Sequence, residues 1–264
     1  ATNGGYRRTF SPRLPVARFE ALAEASAPLP ELPSSPPDLI SKQIAAQIAN
    51  LIPDGGSLQL GLGSLQTAVL QAVRGRGDLG FHGGMISDGV LEAVEEGGFR
   101  RGVATGVALG SRAFYDRLGR AGQVRYAPVE QTHGIGILSA IPGMTCVNSC
   151  LEVDLTGQVN VEYLNGNQSS GQGGMIDFIR GARASSGGVA ITALPSTARC
   201  GTVSRIVPQL AQGTPVSVAR SDVDVVVTEH GVADLREAGF AFEPAWFDVF
   251  REFRFPRLGE LAHE

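Results

Sequence analysis

Lysine is almost missing from this sequence. Lys42 is the only one, and arginine makes up the rest of the 22 basic side chains. Against 26 acidic residues they leave a net charge of −4, with no basic run along the chain. A nucleic-acid backbone needs a dense positive stripe, so that class of partner is not expected. Cysteine is equally scarce. Cys146, Cys150 and Cys200 form neither an even disulfide set nor a metal-binding spacing, which points to reduced thiols in a cytoplasmic protein and to no metal. Long apolar runs are absent too. The longest, such as VDVVVT at 223–228, is strand-sized and far too short to cross a bilayer. No charged-then-apolar leader pattern is present, which fits the same cytoplasmic expectation.

Glycine and short apolar segments are abundant. Residues 1–40 are rich in Pro, Ala and Ser, and PELPSSPPD cannot hold a regular element, so 1–40 reads as an extended arm or linker. Residues 41–264 read as one α/β domain. A helix is predicted from Asp38 or Ser41 through IAAQIANLI, ended by Pro53-Asp54-Gly55-Gly56. SLQLGLG, DLGFHGG and GVATGVAL read as strands. LQTAVLQAV, SDGVLEAVEEGG (capped near Ser87 or Asp88) and SRAFYDRL read as the helices that follow them. TCVNSCLEVDL, VAITALP, VSVA and VDVVVTEHG are continuous apolar strands, the pattern of a parallel or mixed sheet covered on both faces. The predicted fold is an open mixed or parallel sheet with helices on both faces, whose ligand site lies beyond the carboxyl ends of the strands.

The stretch from Asn148 to Phe178 carries most of the chemical information. Its glycine cluster, Gly171-Gln172-Gly173-Gly174, runs directly into an apolar segment beginning at Met175. Closely spaced glycines let a backbone approach a ligand and aim N–H groups at an oxygen, and they equally make a tight turn between strand and helix. Four more segments accompany it: LQLGLGSLQTAVL (58–70), DLGFHGGMISDGVLEAVEEG (78–97), ALPSTARCGTVSRIVP (193–208) and VDVVVTEHGVADLR (223–236). In order and spacing the five resemble the acetyl-CoA hydrolase/4-hydroxybutyrate CoA-transferase family. The resemblance covers most of residues 6–236 and matches the family's C-terminal, catalytic half. RRTF at 7–10 and PLPELP at 28–33 resemble its inter-domain passage.

That resemblance implies a fold of the NagB/RpiA/CoA-transferase type and acyl-CoA as substrate. It also implies a site normally served by a glutamate nucleophile, which attacks the thioester and goes on to a covalent enzyme–CoA thioester. The family's glutamate lies in a His-Thr-Glu-Met segment. Here the matching residues are His82-Gly83-Gly84-Met85, so Gly84 stands at the glutamate position. Three readings stay open. Water or another acceptor attacks directly, on an oxyanion site of Gly173 and Gly174 amides. A different group, His82 or Glu229 (Glu152 more remotely), takes over as base or nucleophile. Or the chain is a non-catalytic scaffold or regulatory subunit. Gly61 and Gly63 are expected to contact CoA, as are Met85, Asn148, Gly171, Gln172, Met175, His230 and Gly231. Glu152 and Asp154 read better as turn-holding acceptors, and Cys150 as a buried structural thiol.

Length adds a partner. Family members carry a preceding α/β half, so this sequence is either a piece of such a protein or one chain of a naturally split one; the split is favoured, with a second subunit resembling the missing half expected in a heterodimer or heterotetramer. The family's closing segment is replaced by EPAWFDVFREFRFPRL, which reads as an amphipathic helix docking on the core or on that partner.

Overall fold

The computed structural model describes residues 14–24, 26–32, 35–119 and 122–236. The aromatic tail segment from Glu243 lies outside them.

Eight strands form the central sheet: β1 (Ser57–Leu60), β2 (Gly80–Ile86), β3 (Val103–Ala108), β4 (Val124–Tyr126), β5 (Met144–Ser149), β6 (Val189–Ala193), β7 (Val225–Thr228) and β8 (Gly231–Asp234). Their order is β8-β7-β6-β5-β1-β2-β3-β4. Every neighbouring pair is parallel except β7 and β8, an antiparallel pair at the edge. Helix α1 (Leu39–Leu51) precedes β1; parallel strands need crossovers, and these carry the helices α2 (Ser64–Ala72), α3 (Asp88–Glu95), α4 (Arg112–Leu118), α5 (Val129–Thr132), α6 (Ile135–Ser139) and α7 (Met175–Ala184).

Strand alternation divides the core into two. Leu58 and Leu60 of β1, Val147 of β5, Ile191 of β6 and Val225 and Val227 of β7 face one side. There they pack with Ile44 and Ile48 of α1, Val69 of α2 and Leu91 of α3. Met144 and Cys146 of β5, Ala190 of β6 and Val226 of β7 face the other, with Leu138 of α6 and Phe178 and Ile179 of α7. Apolar residues on both faces of one strand are what turned these segments into continuous apolar runs.

The helix starts follow local capping chemistry. Asp38, not Ser41, caps α1 by accepting the Ser41 N–H at 2.7 Å. Ser87 is the N-cap of α3, while the buried Asp88 carboxylate accepts the Ser111 N–H at 2.9 Å and the Ser111 hydroxyl, joining α3 to the start of α4. Of the predicted strands, VSVA does not form. Only Val218 pairs, in a single bridge with Val159, because Pro215 on one side and a 3-10 turn at Arg220–Asp222 on the other leave no room for a ladder. Within CLEVDL the chain leaves the main sheet, and Glu152–Asp154 joins a separate three-stranded patch with Ile206–Val207 and Val159–Asn160.

Most of the proline-rich stretch at 14–32 is exposed, yet its end is fastened to the body. The Leu32 N–H donates to Gly110 O at 3.0 Å, the Tyr115 hydroxyl donates to Pro30 O at 2.9 Å, and Glu31 accepts the Arg112 N–H at 3.0 Å.

Candidate functional site

The carboxyl ends of β1, β2 and β5 lie side by side in the middle of the sheet, where ligands of open α/β folds bind. β2 brings Gly84 there. The loop after Gln168 brings Gly171 to Gly174, with Gly174 as the N-cap of α7. Between the two glycines sits a side chain that the sequence motifs did not single out, His133, just after α5. A β-carbon at Gly84 would lie 3.0 Å from its Cε1 and 3.1 Å from its Nε2, and one at Gly174 would overlap its Cδ2 and Nε2. Glycine at 174 leaves the room this imidazole occupies, and glycine at 84 relieves a tight contact with it.

Three contacts fix that ring. It lies on Phe178 of α7, with centroids 4.6 Å apart and planes at 49°. Its Nδ1 is 2.8 Å from the Thr132 hydroxyl. Its backbone N–H donates to Val129 O at 2.8 Å. Among the described residues Nε2 has no protein partner, and it points at the gap between the glycines.

His82, the base candidate from the motif, plays a different part. It is buried, and its Nε2 donates to Thr132 O at 3.2 Å, the carbonyl of the residue preceding His133. Burial pushes its pKa below the ordinary histidine value, partly opposed by hydrogen bonding to the backbone of Thr132 and Gln131. A neutral His82 therefore braces α5, which in turn aims His133.

Gly173 and Gly174 stand beside the same ring. Among the described residues neither amide donates to a protein acceptor, Gly173 takes φ +55°, and the space around it is open. Two N–H groups at a helix N-terminus can receive an oxygen on which charge develops. Gly171 and Gln172 are exposed on the same loop, and Met175 is buried in the first turn of α7. Met85 follows Gly84 on β2 and is half-buried.

Polar side chains tie the neighbouring strand ends together. Asn148 donates to Gln59 Oε1 at 3.2 Å, and Gln66, from the first turn of α2, donates to the Ser149 hydroxyl at 2.9 Å. Gly61 and Gly63 form the turn between β1 and α2. Gly63 holds φ +135°, and a β-carbon there would lie 2.9 Å from Gln66 Oε1, so glycine keeps this clamp in place.

Glu229, His230 and Gly231 are not brought to this point. They link β7 to β8, and β1, β5 and β6 separate them from β2, about 19 Å at the usual strand spacing. The Glu229 carboxylate accepts the Ser196 N–H at 2.9 Å and the Ser196 hydroxyl at 2.5 Å, holding a loop. His230 Nε2 lies 3.6 Å from Glu229. Asp154 is fully buried and accepts the N–H groups of Thr156, Gln158 and Leu210, the turn-holding role expected of it. Glu152 accepts from Asn160 Nδ2 at 3.1 Å. Burial pushes the Cys146 and Cys150 thiols up to about 12, so both are inert. Among the described residues no cluster of His, Cys, Asp and Glu can hold a metal, and no helix is long and apolar enough to cross a membrane.

Residues 110–240 match the family whose sequence model is described as the acetyl-CoA hydrolase/transferase C-terminal domain. The chain is 41% identical over 231 residues to the 4-hydroxybutyrate coenzyme A transferase of Clostridium kluyveri, an alignment that covers 84% of this chain and 53% of that protein. Among solved structures it resembles the 4-hydroxybutyrate CoA-transferase of Porphyromonas gingivalis, with a TM-score of 0.76 and 34% identity over 90% of this chain and 59% of that one. It also resembles RipA from Yersinia pestis, with a TM-score of 0.78 and 34% identity over 85% of this chain and 52% of that one. The chain thus spans about half the length of the relatives it matches.

Proposed function

Because this chain belongs to the acetyl-CoA hydrolase/4-hydroxybutyrate CoA-transferase family, we propose that it supplies the C-terminal half of a site that acts on an acyl-CoA thioester, by direct attack of water or another acceptor. The observation that carries this reading is the glycine at residue 84. It has no side chain, and an imidazole nitrogen lies 3.1 Å from where its β-carbon would stand, so no carboxylate projects from this position to form an anhydride with the acyl group.

The remaining machinery suits direct attack. The Gly173 and Gly174 amides receive the carbonyl oxygen as it gains charge, a role that needs no side chain. The attacking oxygen bonds to the carbonyl carbon, the carbon–sulfur bond breaks, and CoA leaves as the thiol. Glu229, the alternative nucleophile, is occupied by Ser196 and sits strands away.

A second polypeptide resembling the family's other half completes the site in this proposal, as a heterodimer or heterotetramer. Large apolar side chains support it. Val107 at the end of β3, Val129 of α5 and Ile135 and Ile137 of α6 are exposed close to His133, where a covering surface is needed.

An intact-mass spectrum of the natively purified protein, before and after acetyl-CoA, tests the reading. Release of CoA with no adduct surviving denaturation is expected, together with a second chain. A CoA adduct that survives denaturation would overturn direct attack, a homo-oligomer alone would overturn the two-chain assembly, and no CoA release from any acyl-CoA tried would leave a scaffold role.

A further inference from the structure

Resting on that reading, we infer that His133 is the general base of the site, placed in the volume that a side chain at residue 84 would take. Nothing in the sequence motifs marks this residue. Its place is argued from four observations that agree.

The first is space. Gly84 on β2 and Gly174 at the start of α7 come from unrelated parts of the chain, and a β-carbon on either would press on or overlap the same ring. A β-carbon at 174 would overlap the imidazole, and one at 84 would press on it tightly enough that the ring must yield by a few tenths of an ångström. The second is direction. Nε2 is the ring nitrogen nearest the β-carbon positions of both glycines, beside a loop whose Gly173 and Gly174 amides donate to no described residue, so a water held by Nε2 would stand next to a carbonyl received by those amides. The third is that the contacts permit the tautomer a base requires. The Thr132 hydroxyl lies 2.8 Å from Nδ1 and 3.4 Å from the carbonyls of both Pro128 and Val129. It can donate to one of these carbonyls while accepting Nδ1–H, which leaves the Nε2 lone pair free toward the gap. The fourth is support. Phe178 backs the ring, and His82, bonded to Thr132 O, holds the residue before it, so His82 is a positioning residue.

A ring packed on Phe178 as plain core filling would be buried on all sides. His133 is half-exposed, and among the described residues its Nε2 has no protein partner.

The step balances without a co-reactant beyond water. Nε2 takes one proton of the water as its oxygen bonds to the thioester carbon. The tetrahedral oxyanion rests on the two glycine amides. Its collapse breaks the carbon–sulfur bond, and the imidazolium returns the proton to the leaving CoA sulfur. The products are CoA thiol and a carboxylic acid, which ionises in solution.

The test uses the natively purified protein with whatever chain accompanies it, and acetyl-, butyryl- and succinyl-CoA as probes. Free CoA is measured by chromatography. His133→Gln and His133→Ala are expected to lower kcat by about 100- to 10,000-fold with KM little changed. Added imidazole is expected to restore part of the loss in His133→Ala and none in His133→Gln, whose side chain fills the gap. Thermal melts of both variants confirm folding, and the larger side chain of the glutamine variant guards against collapse of the site. Wild-type kcat in either folded variant overturns the inference. So does a loss in His133→Ala that imidazole does not touch, since that is the signature of a purely structural ring. Wild-type protein that releases no CoA from any probe overturns the underlying functional reading instead, and the two failures are told apart by the wild-type lane alone.

Discussion

The ring between the two glycines makes a quantitative prediction that needs no substrate. Gly174→Ala places a methyl group on top of His133 Cδ2 and Nε2, and 3.3 Å from Phe178 Cε2. The backbone itself accepts alanine, because Gly174 has φ −85° and ψ 10°. Replacing an N-cap glycine by alanine costs up to about 1 kcal/mol, which the lost freedom of the unfolded chain, about 0.4–1 kcal/mol, offsets. The steric term dominates: forcing a packed ring aside costs about 1–3 kcal/mol. Gly174→Ala is therefore expected to destabilise by about 1–3 kcal/mol, and the same change in a His133→Ala background to be close to neutral, a coupling of about 1–3 kcal/mol. Urea melts of the four proteins in the double-mutant cycle measure it. Gly84→Ala provides a graded control, since its methyl would stand 3.0 Å from Cε1 and needs only a few tenths of an ångström of yield. Additivity of Gly174→Ala and His133→Ala within about 0.5 kcal/mol would refute the placement of the ring.

Other consequences can be checked on the same protein. Asp154→Ala strips the acceptor from the amides of Thr156, Gln158 and Leu210 around a fully buried carboxylate, and a loss of at least about 3 kcal/mol is expected in chemical denaturation; a loss below about 1 kcal/mol would show that solvent or neighbours replace it. Titration with an aromatic disulfide at neutral pH should modify exposed Cys200 alone, with Cys146 and Cys150 reacting only after denaturation, because burial holds their thiols at about 12. His82 has a pKa depressed by desolvation. Its contribution to stability is present above the unfolded-state value of about 6.5 and is lost as pH falls below it, since the unfolded chain then binds the proton more readily. Wild type should lose stability over that acidic window more steeply than His82→Gln, and parallel pH–stability curves for the two would contradict a neutral, buried His82.

Much of the architecture was legible because each main strand is followed by its own stop and cap signal. SLQL ends in Gly61-Leu62-Gly63, DLGFHGG runs into Ser87, and Ser111 caps SRAFYDRL by accepting the Phe114 N–H at 3.1 Å. The same local signals overstate VSVA, where β-branched residues lack a partner strand long enough to pair with. β8 escaped notice because Gly231–Asp234 has neither length nor alternation, and its antiparallel pairing with β7 is set by a tight turn at Glu229-His230. At the site the glycines were readable and their occupant was not. Gly84 and Gly174 announce room for something, but what fills it comes from position 133, in a short segment whose helices span only a turn or so each. One signal was available. The chain has four histidines, and His133 alone follows a threonine and precedes a glycine-rich break, a setting that frees a ring at a helix end. Glu229 misled for the opposite reason: a charged pair at a strand end looks chemical, while its place at the far side of the sheet is decided by strand order, which no local pattern encodes.

The clasp between residues 30–32 and the start of α4 links distant parts of the molecule. Leu32 and Glu31 hold the backbone at Gly110 and Arg112, Ser111 between them is gripped by Asp88, and Asp88 opens the helix that continues directly from β2. Residues 30–32 are thus linked, through hydrogen bonds at Gly110, Ser111, Arg112 and Asp88, to the helix that follows the strand carrying Gly84. The end of the proline-rich stretch and the imidazole gap are joined by one continuous run of hydrogen bonds and backbone.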